Sequence, residues 1–120
     1  MGISGIVLIA AGMAISWAAE ATARGKLGMN SLIGIRVGYV QHSPEAWLAG
    51  HQAARWPTHA AAGIFAVCGI LVLALSPSDE TAGGIIIGGS LAGLAAITVA
   101  AVKANRAAKL AVVSGARRTA

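Results

Sequence analysis

The sequence predicts an all-α integral membrane protein, with three transmembrane helices and a short interfacial helix in the first cytoplasmic loop. Three observations predict it. The hydrophobic set makes up 57% of the 120 residues, 16 more are glycine, and charged residues are only 11%. Average soluble domains are about 45–50% apolar and about 25% charged. A small soluble globule needs more polar surface than this chain offers, and a disordered tail would be poor in apolar residues. The second observation is three long apolar runs, and the third is that all nine lysines and arginines fall on one side of the three crossings those runs define.

The runs cover residues 2–19, 58–76 and 82–102, and none contains Asp, Glu, Lys or Arg. At 1.5 Å of rise per residue each is roughly 27–31 Å long, enough to cross a hydrocarbon core. Lipid offers no partner to a backbone amide, so a spanning segment satisfies its own hydrogen bonds as a helix. Arg24, Lys26, Arg36 and Arg55 lie between the first two runs, and Lys103, Arg106, Lys109, Arg117 and Arg118 follow the third. The short connection after the second run carries only Asp79 and Glu80. Positive charge is retained on the cytoplasmic side, so the N-terminus is expected outside and the C-terminus inside. The whole chain, 1–120, reads as one membrane domain with a cytoplasmic loop over 20–57 and a basic cytoplasmic tail over 103–120. Ala21-Thr22-Ala23 has the small-x-small form of a signal-peptidase site, but no cationic segment precedes the first run, and a signal peptide wants one.

Small residues at i, i+4 let helix backbones approach closely. Gly84 and Gly88, then Gly89 and Gly93, form two such steps in the third run, continued by Ala92, Ala96 and Ala100; Gly12 and Ser16 share the spacing in the first. These steps fit packing within a three-helix bundle or a homo-oligomer through the third helix. Cys68 falls mid-span, where a thiol behaves as a small apolar group. Pro77-Ser78-Asp79-Glu80 reads as a turn. The tail is expected to stay helical from Lys103 to about Leu110 and to fray near Gly115. Its cations suit anionic headgroups, and with no aromatic stacking platform beside them no nucleic-acid partner is expected.

The polar chemistry lies in the loop. The spans carry no carboxylate, Lys or Arg to build an ion pathway. His59 stands at the inner edge of the second. Ser43-Pro44-Glu45 is a helix start, with Ser as N-cap, Pro at N1 and an acid facing the dipole. That helix is expected to run from Pro44 to about Arg55 and to stop or kink at Pro57. It would lie in the interface, with Tyr39, Trp47 and Trp56 at headgroup level.

The run Asn30-x-x-x-Gly34-Ile35-Arg36, followed by Ser43-x-x-x-Trp47-x-x-x-His51, resembles the signature of the SdpI membrane protein family. The resemblance covers about 22 residues directly, and the flanking spans fit that family's C-terminal membrane domain. Val37 and Val40 stand where the family usually has Thr, which puts any hydrogen-bonding role of those hydroxyls in doubt. The resemblance implies a multi-pass bacterial plasma-membrane protein of the immunity type, resistant to a secreted peptide toxin or engaged in related membrane signalling. It also makes Asn30, Gly34, Arg36, Ser43, Trp47 and His51 the ligand- or partner-binding candidates. Read from their own chemistry, Asn30 caps loop backbone and Gly34 serves close approach or an unusual dihedral. Arg36 binds a headgroup phosphate or pairs with Glu20 or Glu45. His51 is the side chain best placed to change state near neutral pH. His42, His51 and His59 are spaced too widely for a metal site, and no cofactor is expected. An accessory subunit of a larger membrane complex is the alternative. A lipid-modifying enzyme using Arg36 and His51 lacks a carboxylate to orient His51 and a nucleophile, so catalysis is not expected.

Overall fold

The computed structural model describes residues 2–119. Three helices carry almost everything: α1, Gly2–Ala23; α2, Pro44–Leu75; and α3, Asp79–Thr119. A single 3-10 turn, Gly38–Gln41, interrupts the connection between α1 and α2, and the described residues contain no strand. All three helices are long and apolar enough to cross a membrane. At 1.5 Å per residue the 41 residues of α3 extend about 61 Å, which accounts for the 62 Å long axis of the molecule. A hydrocarbon core is only about 30 Å thick. The surplus of α3, from Lys103 onward, and the surplus of α2, before Thr58, therefore project together beyond the apolar layer. This is the basic end of the molecule.

The helix ends follow their local sequences. At the end of α1, Gly25 takes φ +74°, and the amides of Lys26 and Leu27 both donate to the Ala21 carbonyl. That is a glycine-closed C-terminus. Ser43 caps α2, its Oγ accepting from the Ala46 amide at 3.1 Å. Ser76 ends α2 in the left-handed region at φ 42°. Ser78 then starts α3, accepting from the Thr81 amide at 3.3 Å, so Asp79 and Glu80 fill the first turn of α3, where acids oppose the helix dipole. The connection expected over 77–81 is shorter than its sequence suggests.

Two further expectations are corrected. No separate interfacial helix occupies 44–55: these residues are the first turns of α2, which continues through Pro57. Proline removes one amide donor from the helix ladder, while the neighbouring Thr58 Oγ1 donates to the Ala54 carbonyl at 2.7 Å. What keeps the helix going is packing, since helical stability in proteins comes mostly from a buried face. Ala46, Trp47 and Ala54 on α2 are buried with Ala100, Ala104 and Ala108 on α3 and Val40 from the 3-10 turn. That face ends at Ala108 with Val112 partly buried beside it, and α3 continues past Gly115 to Thr119, where fraying was expected, with residues 113–118 exposed.

α2 lies in the middle, with α1 and α3 each against it and not against one another among the described residues. Glycine makes the α1–α2 seam. A Cβ on Gly12 would sit 2.6 Å from the Ala62 carbonyl oxygen, and one on Gly5 would sit 3.0 Å from that of Gly69. On α3 the four glycines expected to pack divide. Gly89 abuts Cys68, and a Cβ on Gly93 would lie 2.7 Å from the Phe65 ring. Gly84 and Gly88 face open space, because they turn away from α2.

Candidate functional site

At the basic end, the segment between α1 and α2 folds back over the helices and is fastened by side chains from the sequence motif. Asn30 is the local organiser. Its Nδ2 donates to the carbonyls of Gly28 and Ile33, both at 2.9 Å, while its Oδ1 accepts from the amides of Leu32 (2.9 Å) and Ile33 (2.7 Å). A single amide side chain thus satisfies four backbone groups of a turn that has no regular structure. Arg36 supports the same turn, donating from Nη1 to the Ser31 carbonyl at 2.6 Å. It pairs with neither Glu20 nor Glu45, because Glu20 is taken by other cations.

Trp47 and His51 clamp this turn to α2. The Trp47 indole donates to the Leu27 carbonyl at 3.1 Å, and its ring is 2% exposed. It is therefore a core residue beneath the loop and not a headgroup anchor, whereas Trp56 and Tyr39 do remain exposed. The Ile35 amide donates to His51 Nε2 at 2.8 Å, and Nδ1 lies 2.8 Å from the Trp47 carbonyl. Since Nε2 must accept, Nδ1 carries the hydrogen and donates to Trp47, which fixes the neutral tautomer. Burial pushes the His51 pKa below its ordinary value, partly opposed by the bond to the Trp47 backbone. Gly34 passes over both rings at φ +116°. A Cβ there would lie 2.7 Å from Trp47 Cη2 and 2.9 Å from His51 Nε2. Asn30, Gly34, Trp47 and His51 are therefore brought together, with Arg36 on the rim and Ser43 apart as the cap of α2. Farther along, Asn105 of α3 accepts from the Tyr39 amide at 2.9 Å. The loop is thus tied to α3 as well.

The family model described as the SdpI/YfhL protein family matches residues 26–104, a stretch holding the loop, all of α2 and the apolar part of α3. The chain belongs to the SdpI/YfhL family. It is a multi-pass membrane protein. No curated protein and no solved structure matches it. In this SdpI/YfhL chain, Val40 is fully buried between α2 and α3, so valine at a position where the resemblance implied threonine contributes apolar packing in the core.

A second cluster, which the sequence reading missed, joins α1 to α2 just below the loop. Glu20 accepts from Arg55 Nε at 2.7 Å and Nη2 at 2.9 Å, and from Arg24 Nε at 2.8 Å. His59 Nε2 lies 2.7 Å from Glu20, and His59 Nδ1 lies 2.8 Å from Ser16 Oγ. A carboxylate only accepts, so Nε2 donates to it. In the neutral ring Nδ1 then accepts from the Ser16 hydroxyl. The signal was present in the sequence as two i, i+4 pairs, Ser16/Glu20 at the end of one helix and Arg55/His59 on the next.

Proposed function

We propose that the protein is a non-enzymatic membrane protein of the immunity type, giving resistance to a secreted peptide toxin or acting in related membrane signalling in the plasma membrane of a bacterium. Its N-terminus is outside and its basic end in the cytoplasm. The observation that carries this reading is the clamp of Gly34 and Ile35 on Trp47 and His51. The motif builds a fixed lid over the ends of the helices, fastened by polar side chains and exposing Leu32, Ile33 and Val37, which suits recognition by shape more than chemistry. The hydroxyl–imidazole–carboxylate chain of Ser16, His59 and Glu20 does not change this. Ser16 sits within α1, where the surrounding amides belong to the helix ladder. No pair of donors is left there to hold an oxyanion. Ser16 and His59 instead knit two helices at the membrane edge.

Deleting the gene and challenging cells with culture fluid from strains that secrete membrane-active peptides tests the reading. Loss of resistance, restored by the intact chain and not by His51→Ala, supports it. Equal survival with and without the gene overturns it. The second reading, an accessory subunit of a larger membrane complex, is favoured by the outer face of α3, where a side chain on Gly84 or Gly88 would meet nothing within 4 Å among the described residues. Extraction in mild detergent, with the chain recovered alone, would remove it.

A further inference from the structure

The Glu20 cluster has more positive charge than its internal pairing requires. One carboxylate faces two guanidiniums, Arg24 and Arg55, with His59 as a third donor. Arg24 reaches Glu20 through Nε, and its side chain is 59% exposed. Arg55 lies with its guanidinium carbon 4.8 Å from the centroid of the Trp56 ring, and Trp56 is 69% exposed. The height of the cluster is set by the helices. The apolar run of α1 stops at Ala19, immediately before Glu20, and that of α2 begins at Thr58, immediately after Trp56-Pro57. Indole rings favour the headgroup level, and guanidinium offers a planar fork matched to phosphate oxygens.

We propose that Arg24 and Arg55, beside the exposed face of Trp56, form a binding site for the phosphate of an anionic phospholipid in the adjoining leaflet. Glu20 acts as the positioning residue. It holds Arg55 through two nitrogens and draws Arg24 toward the same point, so less side-chain freedom is lost when a phosphate arrives. Trp56 covers the start of the acyl chains while Arg24 turns its remaining donors to the headgroup. The tail cations Lys103, Arg106 and Lys109 are the rival attraction. They are strung along one helix face and exposed, with no carboxylate among the described contacts to fix them. This site depends on membrane insertion alone and stands or falls separately from the toxin reading.

The test is native mass spectrometry of the full chain in mild detergent, titrated with phosphatidylglycerol or phosphatidylcholine. One phosphatidylglycerol should be retained in preference to phosphatidylcholine. Arg24→Gln, a change at an exposed side chain, should weaken that retention about fivefold, while the double change Lys103→Gln, Arg106→Gln should leave it intact. Equal retention of the two lipids overturns the proposal. So does an Arg24→Gln protein that keeps the preference, or a preference that disappears with the tail cations instead. Addition of glycerol phosphate separates the possible sources of phosphate. If it displaces the lipid as well as short-chain phosphatidylglycerol does, the site serves a soluble phosphate ester and the lipid assignment fails.

Discussion

Gly34→Ala probes the loop clamp with the smallest possible change. The backbone at residue 34 has φ +116°, a region that costs an L-residue of order 1–3 kcal/mol. The new methyl would lie 2.7 and 2.8 Å from two atoms of the Trp47 ring and 2.9 Å from His51 Nε2. Trp47 is 2% exposed and its indole is held by Leu27, so the ring has little room to give, and such overpacking typically costs about 1–3 kcal/mol. If the loop moves away instead, the bond from the Ile35 amide to His51 is lost, for about 0.5–1.5 kcal/mol. The backbone strain applies to either route and the cheaper route adds to it, which together indicate about 1.5–4.5 kcal/mol against the closed loop. The helices can stay packed while the loop opens, so the effect should be local. Hydrogen exchange of the amides of Leu32, Ile33 and Ile35 should accelerate by about one to three orders of magnitude, with exchange in the middle of α2 unchanged. Protection of these amides equal to that of the parent protein would refute the account of Gly34.

Other outcomes follow from the same contacts. His51 is held neutral by burial, so its folded-state pKa lies below the ordinary 6.5. The stabilising contribution is complete above about pH 6.5 and declines as pH falls below it; loop protection followed by hydrogen exchange should decrease on acidification through that range, and His51→Gln should flatten the dependence. Trp47→Phe removes the indole donor to Leu27 and leaves a buried gap, and should lower the thermal midpoint in detergent by the equivalent of about 1–3 kcal/mol. Gly12→Leu should disrupt the α1–α2 seam by several kcal/mol, because the new side chain meets the Ala62 backbone, whereas Gly88→Leu should leave the stability of the isolated chain unchanged. A denaturation midpoint lowered equally by both changes would show that Gly88 packs after all.

The helical spans were legible because length and composition alone decide them: lipid leaves 2–19, 58–76 and 82–102 no other structure. The extensions beyond the bilayer were not. Taken alone, 44–55 has the marks of an interfacial helix and 103–110 those of a helix that frays near Gly115, and Pro57 reinforced the break. Only together do Ala46, Trp47 and Ala54 meet Ala100, Ala104 and Ala108, and a shared face of alanines has little signal in either stretch. Trp47 went astray for a related reason, since an indole near a membrane edge suits headgroups and a buried donor site equally well. The glycines of α3 share one spacing, but which of them turn toward α2 depends on how the helix is rotated, which composition does not fix. The Glu20 cluster needed two helices brought side by side before its pairing could be read.

Because α1 and α3 both rest on α2 without touching each other among the described residues, the middle helix carries the mechanical signal between the outer two, except along one detour. That detour is the strap running from Ala23 across Trp47 and His51 to Asn105. Severing the strap would leave α1 tethered to α2 by the glycine seam, the Ser16–His59–Glu20 link, the Glu20–Arg55 pair and the Gln52 bond to the Ala23 carbonyl, so a nicked protein should hold its first helix less firmly while the remaining hairpin stays whole.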